Sequence, residues 1–297
     1  MELAIITLPY NVDGKGTSGA SGPAALLTAG LPDRLREQGH TVADVKTVDL
    51  SPEEEKQYGG WNRVGLAGAH LAELTAAARR EDQFVLGLLA DCNGVLGLLG
   101  GLQQPSAGAL PQRVGLVYID AHGDYNTPET SPSGMLGGMP VAIAAGKTLH
   151  RLRRQNKLHL PLQSPDIVMM GLRDLDELER EAVEADGIVT LSEEDLLQRS
   201  EHIHRAMEAL SQREDMIYIH IDLDILNPEA APAAGLPSPG GLTGAELGAA
   251  LREMMAYPKV AALAAVSYRA DADRDGRTRQ EVMDVILGGM QGLNDRK

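Results

Sequence analysis

Short apolar runs recur along the chain at positions 3–8, 41–48, 84–89, 114–119, 167–170, 188–191, 216–221 and 260–266. Bounded by polar and turn-forming residues, runs of this length predict β-strands. Between them lie longer stretches in which apolar residues return every three or four positions, at 25–38, 65–80, 176–185, 201–213 and 244–257. Several of these open on a capping residue or close on glycine, so they predict amphipathic helices. Strands alternating with helices build a mostly parallel sheet. The near-continuous hydrophobicity of 114–119 and 216–221 predicts strands covered on both faces. The expected fold class is α/β: a three-layer α/β/α sandwich with a mostly parallel central sheet. Loops rich in Gly, Pro, Ser and Asn follow several strands, at 10–23, 126–140 and 227–242; loops this long in a compact domain are usually functional.

The 297 residues can bury a large core, and no shift of composition divides them, so one domain over 1–297 is expected. With one Phe and one Trp, that core is aliphatic. A formal net charge of -15 argues against nucleic acid or an anionic membrane as the partner, because phosphates would be repelled over the whole surface. Cys92 is the only cysteine, which excludes an intramolecular disulfide. The opening segment 1–10 has neither a basic leader nor a long apolar core, and no apolar run reaches the roughly 20 residues of a membrane span. A cytoplasmic location is expected.

Two of the predicted strands end in possible metal ligands. The run 114–119 delivers Asp120-Ala121-His122-Gly123-Asp124, and 216–221 delivers Asp222-Leu223-Asp224. If the chain stays extended past each strand, alternation puts Asp120, His122 and Asp124 on one side, and Asp222 with Asp224 likewise. Four carboxylates and an imidazole would then converge where ligand sites of parallel sheets lie, beyond the carboxyl ends of the strands. Carboxylates packed this closely need cations beside them. A lone Asp-x-Asp is more often a cap or turn; the two segments together point to a metal centre.

These segments resemble the motifs of the ureohydrolase family, the arginases and agmatinases. Segment 120–126 is similar to its Asp-Ala-His-x-Asp-x-Asn signature, and 220–228 to its Ser-x-Asp-x-Asp-x-x-Asp-Pro motif. The resemblance extends over nearly the whole chain, through Gly22-Pro23, 171–176 and 240–243. It implies a binuclear site, usually manganese, in which a bridging hydroxide attacks the carbon of a guanidinium or amidine-type group. Asp120 and Asp222 would bridge both ions, Asp124 would bind one, and His122 and Asp224 the other. Asp124 and His122 would carry the catalysis. Coordination brings the pKa of water towards about 7, and carboxylates with one imidazole suit Mn²⁺. The resemblance also implies a homo-oligomer, trimer or hexamer, acting on a small molecule.

The chain departs from that family at several positions. Where the family has Gly-Gly-Asp-His-Ser, this chain has Ala90-Asp91-Cys92-Asn93, so Cys92 stands at a histidine ligand position. As a ligand it would favour Zn²⁺ or Fe²⁺ over Mn²⁺; as an ordinary buried thiol it would only fill space. Gly137 occupies the place of a proton-shuttling histidine. Ser267 occupies that of a glutamate that pairs with the substrate guanidinium, a charge-assisted contact a hydroxyl cannot replace. Leu236 replaces a polar residue. Asn126, Ser133 and Asp176 match residues that hold the amino and carboxylate ends of an amino acid, although each also has a turn-forming explanation. His220, in place of a small residue, reads as a hydrogen-bonded core histidine, the alternatives being support from behind the ligands or partial compensation for the missing histidine.

The favoured expectation is a metal-dependent hydrolase of C–N bonds in an amino acid derivative other than plain arginine. A catalytically silent homologue with a structural or regulatory role is the alternative. A third reading makes Cys92 a covalent nucleophile, which requires an activated thiolate.

Overall fold

The computed structural model describes residues 1–17, 19–105 and 110–296; residue 18 of the predicted 10–23 loop lies outside them. Eight strands form one sheet: β1 (Glu2–Leu8), β2 (Thr41–Thr47), β3 (Phe84–Leu89), β4 (Val114–Ile119), β5 (Ile167–Met170), β6 (Val189–Leu191), β7 (Met216–Asp222) and β8 (Val260–Val266). Their order is β2-β1-β3-β8-β7-β4-β5-β6, and every neighbouring pair runs parallel. The predicted strand runs and the parallel sheet are therefore observed, with bounds moved by a residue at most.

Alternation along each strand sends side chains into two separate cores. From β7, Ile217, Ile219 and Ile221 pack on one face while Tyr218 packs on the other. From β3, Leu86 and Leu88 go to the first core and Val85 and Leu89 to the second. Helices Gly244–Met255 and Arg277–Met290 cover the first face; Gly60–Arg80 and Gly94–Leu102 cover the second. Truncating a fully buried residue such as Leu86 to Ala would cost about 2–5 kcal/mol.

Two helical features differ from the periodicity. The stretch 25–38 is broken into Gly22–Thr28 and Leu31–Glu37. Gly30 between them takes a left-handed φ of 84°, and Pro32 in the next turn cannot continue a preceding helix. Helix Gly94–Leu102 has no amphipathic signature because all nine residues are buried. It crosses helix Gly60–Arg80 so closely that a Cβ on Gly97 would lie 2.6 Å from the carbonyl oxygen of Gly68.

Candidate active site

The strands β3, β8, β7, β4 and β5 are neighbours, and their carboxyl ends carry Cys92, Ser267, Asp222 with Asp224, Asp120 with His122, and Asp176. These residues, except the deeper Asp120, line a cavity of about 480 Å³ together with Asp124, Asn126, Ser133, Gly137 and Leu236.

Convergence is not achieved by strand alternation. The chain leaves extended geometry after Ile119, and Asp124 has a left-handed φ of 47°. Likewise Leu223–Ile225 forms a 3-10 turn capped by Asp222, whose Oδ1 accepts the amide of Asp224 at 3.1 Å. Arg173, from the turn after β5, holds this segment by donating to the carbonyls of Asp224 at 2.7 Å and Ser238 at 3.3 Å. Ser267 is also left-handed, with φ 68°. Such backbone costs about 1–3 kcal/mol per residue and gathers at functional sites.

Two groups of three donor atoms result, each lying within 4.8 Å of one another: Cys92, Asp120 and Asp222, and Asp120, His122 and Asp224. Asp120 belongs to both. The Cys92 thiol donates to Asp222 Oδ2 at 2.7 Å and lies 3.9 Å from Asp120 Oδ2. His122 Nδ1 is 3.4 Å from Asp120 Oδ1 and 3.3 Å from Asp224 Oδ2. Asp124 joins neither group; its Oδ2 accepts the Tyr118 hydroxyl at 2.5 Å. The Ser267 hydroxyl donates to Asp222 Oδ2 at 2.7 Å.

Burial raises the pKa of Asp120 and Asp124 well above the carboxylate range and that of Asp222 to about 7, with repulsion from Asp224 adding to it at Asp120 and Asp222. Burial opposes protonation of His122, but hydrogen bonds to Asp120 and Asp224 outweigh it and lift the imidazole to about 11. As an imidazolium it neutralises part of the cluster; as a ligand it would have to give up that proton. Clustered acids that ionise only with difficulty, a thiol and an imidazole form a donor set that fits divalent cations. Cys92 is not an activated nucleophile: burial, then the carboxylates of Asp222, Asp124 and Asp120, push its thiol well above its ordinary value.

The arginase family model matches residues 1–290. The chain belongs to the arginase family. It is 29% identical to the arginase of Bacillus subtilis (strain 168) over 295 residues, covering 96% of this chain and 97% of that protein. It is 31% identical to arginase-1 of Xenopus laevis over 259 residues, covering 81% and 78%. The crystal structure of arginase from Bacillus cereus superposes with a TM-score of 0.84 at 26% identity, covering 98% of both chains.

In this arginase-family chain the other expected residues sit around the cavity mouth. Asn126 Nδ2 donates to Asp176 Oδ2 at 2.9 Å, bringing that pair together. Ser133 lies on the exposed rim, where its hydroxyl accepts the Met135 amide at 3.2 Å. Gly137 presents no side chain, and Leu236 is 54% exposed. His220 is fully buried, with Nδ1 2.7 Å from the Tyr218 hydroxyl, as expected of a core histidine; burial lowers its pKa to about 3.

Sequence reasoning missed Tyr118 and Glu179. Tyr118 lies two residues before Asp120 in β4. Glu179 is buried in helix Glu177–Ala185, where its Oε1 accepts the Tyr125 amide at 2.8 Å. A signal was available for it: Glu179 is four residues before buried Val183, so a carboxylate sits on the apolar face of that helix. Among the described residues no helix is long and apolar enough to cross a membrane.

Proposed function

We propose that this chain, as one domain over 1–297, hydrolyses a C–N bond in a guanidino-, amidino- or ureido-type amino acid derivative at a centre of two divalent ions. The observation that carries the proposal is the pair of donor groups sharing Asp120 at a cavity that Asn126, Ser133 and Asp176 also line. Ions held by Cys92, Asp120 and Asp222, and by Asp120, His122 and Asp224, would supply acidified water near neutral pH. Asp124 handles the proton: Tyr118 occupies Oδ2, and Oδ1 takes the proton of the attacking water and passes it to the leaving nitrogen. Asn126, Asp176 and Ser133 bind the amino acid end of the substrate.

Ser267 is committed to Asp222 and brings no charge to the tail of the substrate. Exposed Leu236 and Met135 line the same cavity and favour an uncharged tail over a guanidinium. The family supports manganese, a homo-oligomer and a cytoplasmic enzyme, while the Cys92 thiol supports zinc or iron at one position.

The test is elemental analysis of protein purified without chelators, followed by assay of urea and ammonia release across guanidino and ureido amino acids. Retained divalent metal with release from a neutral-tailed substrate supports the reading. One observation favours the silent homologue: Cys92 and Ser267 both satisfy Asp222 from within the chain. Protein that retains no divalent ion and releases neither product would establish that alternative.

A further inference from the structure

We propose that the two metal positions are chemically unequal: Tyr118 holds Asp124 back from ligation, so the position of Cys92, Asp120 and Asp222 takes a thiophilic ion such as Zn²⁺, and that of Asp120, His122 and Asp224 takes Mn²⁺. The inference rests on the metal centre of the proposed function and adds which ion each position selects.

The bond from Tyr118 to Asp124 is buried at both ends. The aromatic end of this bond is held in place. The Tyr118 ring lies parallel to the His220 imidazole, 4.9 Å between centroids and 3° between planes, and His220 is held in turn by the Tyr218 hydroxyl at 2.7 Å. The main chain of Asp124 is held by its left-handed conformation and by its carbonyl, which accepts the Val141 amide at 3.0 Å. Oδ2 of Asp124, which accepts the phenol proton, is thereby a weaker donor to a cation, and Asp124 joins neither group of donor atoms. That position is thus left with two carboxylates and a sulfur, and the second has two carboxylates and an imidazole. Thiolate selects softer ions, whereas carboxylate and imidazole without sulfur accommodate Mn²⁺.

The experiment strips the full-length protein with a chelator, reloads it with Mn²⁺, Zn²⁺ or Co²⁺, desalts it and counts retained metal. The wild type should keep two Zn²⁺ but one Mn²⁺ per chain, and the Co²⁺ form should show a near-ultraviolet thiolate-to-metal band that Cys92→Ser removes. Tyr118→Phe, which frees Asp124, should raise retained Mn²⁺ towards two and leave that band in place. Cys92→His should also keep two Mn²⁺, and serves where Tyr118→Phe does not fold. Two Mn²⁺ in the wild type, no thiolate band, or one Mn²⁺ in folded variants overturns the proposal. These counts need no turnover, so loss of the hydrolase reading in the urea and ammonia assay leaves them standing on their own.

Discussion

Removing metal should make the stability of this protein fall as pH rises, and Asp222 alone gives a lower bound on the effect. Burial and the neighbouring Asp224 raise its folded-state pKa from an ordinary 3.8 to about 7. Between those values the folded state holds a proton that the unfolded chain has released, so the unfolding free energy decreases with pH. The contribution is fully present below about 3.8 and is lost as pH climbs through about 7. Each tenfold of proton affinity is worth about 1.4 kcal/mol. Asp222 is half ionised at about 7, so its loss between pH 5 and 7 is about 2 kcal/mol. For a chain of this size roughly 2 °C accompanies each kcal/mol, so the melting temperature should drop by roughly 4 °C. Asp120 and Asp124 shift in the same direction and reinforce the sign. The assay is thermal melting of chelator-stripped protein from pH 5 to 8, beside Asp222→Asn and beside protein with added Zn²⁺. The variant should lose much of the slope, and the ion should flatten it by stabilising the ionised carboxylates. A stripped wild type whose melting temperature is level or rises with pH would refute the reasoning, as would an unchanged slope in Asp222→Asn.

Further outcomes follow from particular residues. Asp120→Ala should strip both metal positions, because Asp120 belongs to both donor groups, whereas Asp222→Ala should strip only that of Cys92; elemental analysis showing full metal content in Asp120→Ala would contradict the shared role. Arginine and agmatine should be turned over poorly, since an unpaired desolvated guanidinium costs several kcal/mol, equivalent to orders of magnitude in rate; efficient urea release from either would show that Ser267 suffices. Ser267→Glu should tighten guanidinium binding, read by calorimetry with arginine. Gly235→Ala should weaken metal retention at least tenfold, because a Cβ there would lie 2.9 Å from Asp224 Oδ2 and 3.2 Å from Asp222 Oδ1 on backbone at φ 32°; unchanged affinity would mean the turn relaxes freely.

Strands and the donor groups beyond them were legible because each is a local property of the chain. A buried parallel strand is a run of apolar residues, and the candidate donors Asp120 and His122 follow within three residues of the end of β4. What periodicity could not convey is how the chain bends afterwards. Extended alternation would have set Asp124 beside Asp120 and His122; its left-handed backbone keeps the carboxylate on the same cavity but turns Oδ2 to Tyr118. Helix Gly94–Leu102 escaped because its sequence, buried all round, contains no polar face to give it a period.

The departures from the family motifs also looked different in one dimension. Cys92 and Ser267, 175 positions apart in a count that sequence treats as two independent losses, lie at the ends of the adjacent strands β3 and β8. Both donate to the same oxygen of Asp222 at 2.7 Å. Independent decay of a metal site would leave buried carboxylates with neither a cation nor a hydrogen-bond donor, at a cost of about 1–3 kcal/mol or more for each unsatisfied group. Here the replacements are matched to one another and to the carboxylate between them, while Asp120, His122 and Asp224 keep a complete second group. The hydrogen bonds at Asp222 are what an abandoned centre would also show; it is the retained group of Asp120, His122 and Asp224 that weighs for the hydrolase reading over the silent homologue.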